Sequence, residues 1–176
     1  MEKIMKKIYP LVMLLALSQF SFADDSRFKP EAKLTEGSAS TWNAGAGFTQ
    51  KLVHLNGEWV NPYGIAYAKL GAYLNNDHNV GGQIGFRYPY YLTGVNKNGY
   101  YFGVYAGSIE SKEIDGDDKT RLGGGVDLAY VWLDKERIST FSVGIGTGEK
   151  LKNANGDVVA DIEPKLQVSY TLSIGL

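Results

Sequence analysis

From Lys165 to Leu176 the chain alternates without a break. Leu166, Val168, Tyr170, Leu172, Ile174 and Leu176 are apolar, and Lys165, Gln167, Ser169, Thr171, Ser173 and Gly175 between them are polar or small. A period of two is the mark of an extended strand with one apolar face, because successive side chains of a strand point to opposite sides. The pattern recurs upstream. Arg121 to Trp132 sets Leu122, Val126, Leu128, Tyr130 and Trp132 against Gly123, Gly125, Asp127, Ala129 and Val131. Asn79 to Tyr90 sets Val80, Ile84, Phe86, Tyr88 and Tyr90 against Asn79, Gly81, Gln83, Gly85 and Arg87. Phe141, Val143 and Ile145 alternate with Ser142, Gly144 and Gly146, and Tyr100, Phe102, Val104 and Ala106 with Tyr101, Gly103, Tyr105 and Gly107. Trp42 to about Val53 and Tyr63 to about Leu74 alternate less cleanly. Helices do not compete, since the 22 glycines recur inside the apolar stretches at about 1 kcal/mol each.

Seven strands of about 9–14 residues are therefore expected, longer than the 5–6 residues common in water-soluble domains and close to the roughly 9–11 that cross a membrane. The second face is glycine-rich and carries only isolated Arg87, Asp127, Lys165 and Gln83. Such a face suits the crowded, polar interior of a small barrel whose apolar face meets lipid. The expected architecture is all-β, an antiparallel up-and-down transmembrane barrel over residues 41–176. If the last strand descends to the periplasm, the long charged connections Gly148–Glu163 and Ser111–Lys119 lie outside the cell. The short ones, Leu133–Arg137 and Thr93–Asn98, then lie inside, which is the usual asymmetry of such barrels. Tyr88, Tyr90, Tyr91, Tyr100, Tyr130 and Trp132 cluster beside the short connections, where amphipathic rings favour a membrane boundary.

The first 23 residues read as a cleavable secretory signal: Lys3, Lys6 and Lys7, then the uncharged stretch from Ile8 to Leu17, then Ser21-Phe22-Ala23 with small residues at the cleavage positions. Removing those lysines and Glu2 from 18 basic and 19 acidic residues leaves 15 and 18, a mildly acidic exported chain. That balance excludes a nucleic-acid binder, which needs a basic excess to neutralise phosphates. The absence of cysteine excludes disulfides, thiol nucleophiles and thiolate zinc sites. Residues 24–40 are polar, with one proline and one glycine, and read as an arm or a weak first strand.

The signal MEKIMKKIYPLVMLLALSQFSFA, the alternating strands from Thr41 on and the final PKLQVSYTLSIGL together resemble the small eight-stranded outer-membrane barrel families of Gram-negative bacteria. The resemblance implies a bacterial outer-membrane location and a monomer in contact with outer-membrane lipid and lipopolysaccharide. It also implies a last strand recognised by the barrel assembly machinery. Leu176 departs from the Phe or Trp that usually ends these chains. Bacterial barrels use even strand numbers, so an eighth strand is expected from Arg27–Ser40.

Chemistry is sparse. His54 and His78 have no second histidine at metal-ligating spacing, and both read as strand-end or loop residues. A serine such as Ser108 with a histidine and an acid would be the minimum for a lipid-modifying enzyme, but nothing in the sequence brings them together. Gly123-Gly124-Gly125 and the glycines at 144, 146 and 148 lack the strand-to-helix context of a phosphate loop, and read as space for large neighbours inside a tight barrel. Glu113, Asp115, Asp117 and Asp118 do not have EF-hand spacing and read as a solvated loop. No cofactor or metal is expected. Asp127 is the expected hub of a lumen ion cluster with Arg87, Lys165 or both, because isolated buried ions are costly. With Tyr101, Tyr105 and Arg87 filling the interior, the leading reading is a non-enzymatic barrel acting in envelope structure or through its surface loops. A narrow channel or carrier, a membrane-embedded lipid-modifying enzyme and a soluble periplasmic barrel around a lipophile are the alternatives.

Overall fold

A computed structural model describes residues 34, 39–50, 52–74, 79–92 and 98–176. The expected signal segment and His78 lie outside the described residues, as does the Thr93–Asn98 turn apart from Asn98. The strands are β1 (Trp42–Thr49), β2 (Leu52–Asn61), β3 (Gly64–Tyr73), β4 (Val80–Leu92), β5 (Gly99–Ile114), β6 (Asp117–Asp134), β7 (Arg137–Gly148), β8 (Leu151–Lys152), β9 (Val158–Ala160) and β10 (Pro164–Gly175). Eight of them close into an antiparallel barrel in the order β1-β10-β7-β6-β5-β4-β3-β2, and β8 pairs with β9 in a separate hairpin. Closure pairs both edges of every strand within the barrel wall, so the wall itself has no open edge.

The eighth strand is β2, so the barrel closes without the strand expected from Arg27–Ser40, a segment that lies outside the described residues apart from Leu34, Ala39 and Ser40. The stretch taken as one strand from Trp42 to Val53 is two, broken at Gln50, whose φ of 31° turns the chain. No glycine, proline, asparagine or aspartate marks that turn, so the usual turn signals are missing. A second correction concerns Ser111–Lys119. It is a continuation of β5 and β6 as a two-stranded hairpin whose tip, Asp115-Gly116, has φ values of 58° and 84°. Two successive positive φ angles are what a type I′ turn requires, and Asp-Gly is among the residue pairs that supply them most readily.

One end of the barrel carries the short connections at Pro62-Tyr63 and Lys135-Glu136, together with Trp42, Leu92 and Asn98. The other carries Gln50, the extended β5–β6 hairpin and the long connection from Glu149 to Glu163. The long charged connections thus share one end, which agrees with the asymmetry read from the sequence. Both described turns at the opposite end are tight.

Candidate functional site

Outward positions on all eight barrel strands carry large apolar side chains. Leu55 is 71% exposed and Ile84 66%, and Phe48, Leu70, Phe102, Leu128, Val143 and Leu166 are exposed in the same way. On β10, Leu166, Leu172, Ile174 and the following Leu176 are exposed and Val168 and Tyr170 half-buried, while Gln167, Ser169, Thr171 and Ser173 are buried. Apolar residues therefore face outward and polar ones inward. The aromatic residues gather at the short-turn end of this belt. Tyr100 and Tyr130 meet edge to face at 5.0 Å, Tyr130 and Trp132 lie 4.6 Å apart, and Trp42 stacks on Trp59 at 6.0 Å. Tyr91 pairs with Tyr100 past an irregularity after Pro89, Tyr88 pairs with the outward Phe102, and Tyr90 is exposed. Trp42 and Trp59 belong to the same ring, although the sequence reading did not single them out.

The interior is filled by polar side chains, and cross-strand register explains how they fit. At one level the residues of β4, β5, β6, β7 and β10 are Arg87, Gly103, Asp127, Gly144 and Gln167. The neighbouring level, from β3 round to β10, reads Tyr67, Gly85, Tyr105, Gly125, Gly146 and Lys165. Large side chains thus alternate with glycines around the wall. A Cβ on Gly85 would stand 2.5 Å from the Tyr67 ring, and one on Gly125 or Gly146 would stand 2.5 or 2.6 Å from the Tyr105 hydroxyl. The glycines of the sequence are the recesses into which the lumen side chains lie.

Arg87, 1% exposed, donates through Nη2 to Asp127 Oδ2 at 2.8 Å and to Ser142 Oγ at 3.2 Å, and its guanidinium lies over the Tyr67 ring at 4.4 Å. Lys69 donates to Ser169 Oγ at 3.0 Å and sits 5.1 Å from the same ring. Glu58 accepts from Ser173 Oγ at 2.7 Å, and Asn56 Nδ2 donates to that hydroxyl at 2.9 Å. Gln83 Nε2 donates to the Ser108 carbonyl at 2.8 Å and to Gln167 Oε1 at 3.2 Å. Two cations, Arg87 and Lys69, therefore share the lumen with two acids, Asp127 and Glu58. Lys69 and Glu58 were missed in the sequence. Glu58 alternates in phase with His54 and Asn56, so a break at Gln50 places it inward, and Lys69 alternates in phase with Tyr67 on β3.

Lys165 does not join Asp127. Gly144 pairs with both Asp127 and Gln167, so Gln167 holds that level, and Lys165 lies two residues nearer the mouth. There Lys165, 41% exposed, has its Nζ 3.7 Å from Glu110 Oε2. A cavity of about 200 Å³ opens at this end, floored by Gln83 and Gln167 and walled by Thr49, Leu52, Tyr73 and Ile109. Ser108 takes part in this wall, its hydroxyl accepting from the Gly82 N–H at 2.9 Å. His54 is buried in β2.

Above the mouth, Arg121 ties the long connection to the β5–β6 hairpin. It donates to the Glu149 carbonyl at 2.6 Å, to Glu110 Oε1 at 2.8 Å, to the Gly148 carbonyl at 2.9 Å and to the Asp161 carbonyl. Lys112 Nζ donates to the Val159 carbonyl at 2.5 Å, and the Ala154 N–H donates to Asp115 Oδ2 at 2.7 Å. The Ile162 N–H and then the Lys150 ammonium hold the exposed Asp161 carboxyl below its ordinary range. The result is a platform built from two hairpins and standing on the barrel rim. Comparison with family models, with curated proteins and with solved structures found no match.

Proposed function

We propose that the chain is a monomeric, non-enzymatic barrel integral to a bacterial outer membrane, which holds a charged platform outside the cell. The observation that carries this reading is the belt of exposed apolar side chains on all eight strands. In water each large one would forgo about 1.5–3 kcal/mol of burial, and a continuous belt far exceeds the few hundred Å² of apolar patch that soluble monomers expose. Lipid removes that cost. From Leu166 to Ile174 the belt runs nine residues, whose eight steps span roughly 20 Å along the axis at a strand tilt near 40°, against an apolar band of about 25 Å in outer-membrane barrels. On this reading the short-turn end faces the periplasm, with its aromatic ring at the lipid boundary, and the hairpin platform stands among lipopolysaccharide headgroups. The apolar, alternating β10 supports recognition by a barrel assembly machinery.

Extraction tests the location. The protein is expected to stay with membranes through high salt and alkaline carbonate, to leave in detergent, and to run at different positions on a gel before and after boiling. Release by carbonate, or one position in both samples, would contradict the reading.

The open cavity and the charged lumen favour a second reading, a narrow channel or carrier. Its expectation is steady single-channel conductance of the purified protein in planar bilayers, whereas a filled lumen gives none.

A further inference from the structure

We propose that Leu34 is a stopper that closes the short-turn mouth of the barrel, so that the lumen communicates only with the long-loop end. Leu34 is 5% exposed, in a cluster with Ile65 of β3, Tyr101 of β5, Ala129, Val131 and Leu133 of β6, and Ile138 of β7. These positions alternate with the outward belt and so face inward, and they form an apolar layer at the short-turn end, below the charged and polar middle of the lumen. Ala39, Val60 and Leu92 pack against the layer. Two hydrogen bonds fix the approach on different sides of the mouth. The Leu34 N–H donates to the Pro62 carbonyl in the β2–β3 turn at 2.7 Å, and Ser40 Oγ donates to the Lys135 carbonyl in the β6–β7 turn at 3.2 Å. In the barrel order these two turns are separated by β1 and β10 on one side and by β4 and β5 on the other. Leu34 and Ser40, six positions apart in the sequence, are thus held at two points across the mouth, and the Leu34 side chain lies in the apolar layer.

An apolar layer plugged by a leucine excludes water and ions, because ions do not enter a site that offers them no partner. At the other end the polar cavity above Gln83 and Gln167 is open. The barrel is then a cup rather than a tube, closed at its base by the apolar layer of the wall with Leu34 seated in it.

The chain has no cysteine, so single introduced thiols report without background. In full-length folded protein, checked by its gel position before boiling, the thiol of Leu34→Cys is expected to react with a charged thiol reagent about tenfold or more slowly than that of Tyr63→Cys in the exposed β2–β3 turn. Thr140→Cys, buried on β7 one inward position beyond Ile138, is expected to be protected equally and to gain reactivity when combined with Leu34→Ser or the milder Leu34→Ala. Equal rates at Leu34→Cys and Tyr63→Cys would overturn the proposal, as would a Thr140→Cys rate indifferent to both changes at Leu34.

Discussion

Arg87 and Asp127 form their 2.8 Å ion pair over Gly103, which lies between them on the intervening strand and is the cross-strand partner of both. Residues two strands apart reach each other here because the strand between offers no side chain. A Cβ on Gly103 would fall on Asp127 Oδ1 and stand 3.1 Å from Arg87 Cγ. The pair is made through one nitrogen and one oxygen, and the charges are 1% and 6% exposed, so each depends on the other for its place in the lumen.

Asp127→Ala is expected to lower the unfolding free energy by about 3–5 kcal/mol, because it leaves a buried guanidinium without its counter-charge. Replacing both partners by apolar residues of similar size is expected to recover most of the loss. Urea titration of the folded barrel in detergent measures both, and an Asp127→Ala midpoint equal to that of the unaltered protein would refute the coupling.

Gly103→Ala is expected to destabilise the barrel although it leaves both charges in place, because the added methyl occupies the path of the pair. Gly57→Ala is the control. A Cβ there meets nothing within 4 Å, so that change is expected to be neutral or to stabilise by about 0.4–1 kcal/mol through the unfolded chain. Equal effects of the two substitutions in the same titration would show that packing around Gly103 is irrelevant.

Charge on the belt is expected to cost according to depth. Val143 lies midway along the outward row of β7, so Val143→Arg is expected to cost about 2–4 kcal/mol, whereas Ile174, close to the level of Trp42, is expected to tolerate arginine at about 0–1 kcal/mol. Folding yields into lipid vesicles measure the difference, and a reversed order would mean that the belt does not face lipid.

Arg121→Gln is expected to free the long connection. It removes one of the two charged partners of Glu110 and weakens the hydrogen bonds to three carbonyls, each worth about 0.5–1.5 kcal/mol net. Cleavage by trypsin after Lys150 or Lys152 is then expected to accelerate roughly tenfold or more, with the barrel strands still resistant. An unchanged rate would mean that the platform does not depend on this residue.

Much of the barrel was legible because its two faces differ in residue size and polarity. On β10 and β6 the alternation identifies the outward row and the inward face of Asp127 without reference to any contact. What stayed hidden is register. The turn at Gln50 carries no turn-forming residue, so the pattern from Trp42 runs on to Val53 as one strand and leaves the rest of β2, with its inward Glu58, unassigned. Lys165 was assigned to Asp127 because both lie on inward faces. Only the pairing of Gly144 with Gln167 shows that the lysine sits nearer the mouth, with Glu110. The Leu34 contact was invisible for a different reason: scattered apolar residues in a polar arm have no periodicity to reveal which of them is buried.

All three tryptophans, Trp42, Trp59 and Trp132, are exposed on the outer wall near the short-turn end, and this makes the intrinsic fluorescence a depth gauge. The decisive measurement is quenching of that fluorescence in vesicles whose lipids carry bromine at a chosen depth. Blue-shifted emission, quenched more by bromine near the headgroups than by bromine at the acyl termini, is the expected result for a belt in lipid with its aromatic ring at the boundary. Water-like emission that no brominated lipid quenches would contradict a membrane-embedded barrel.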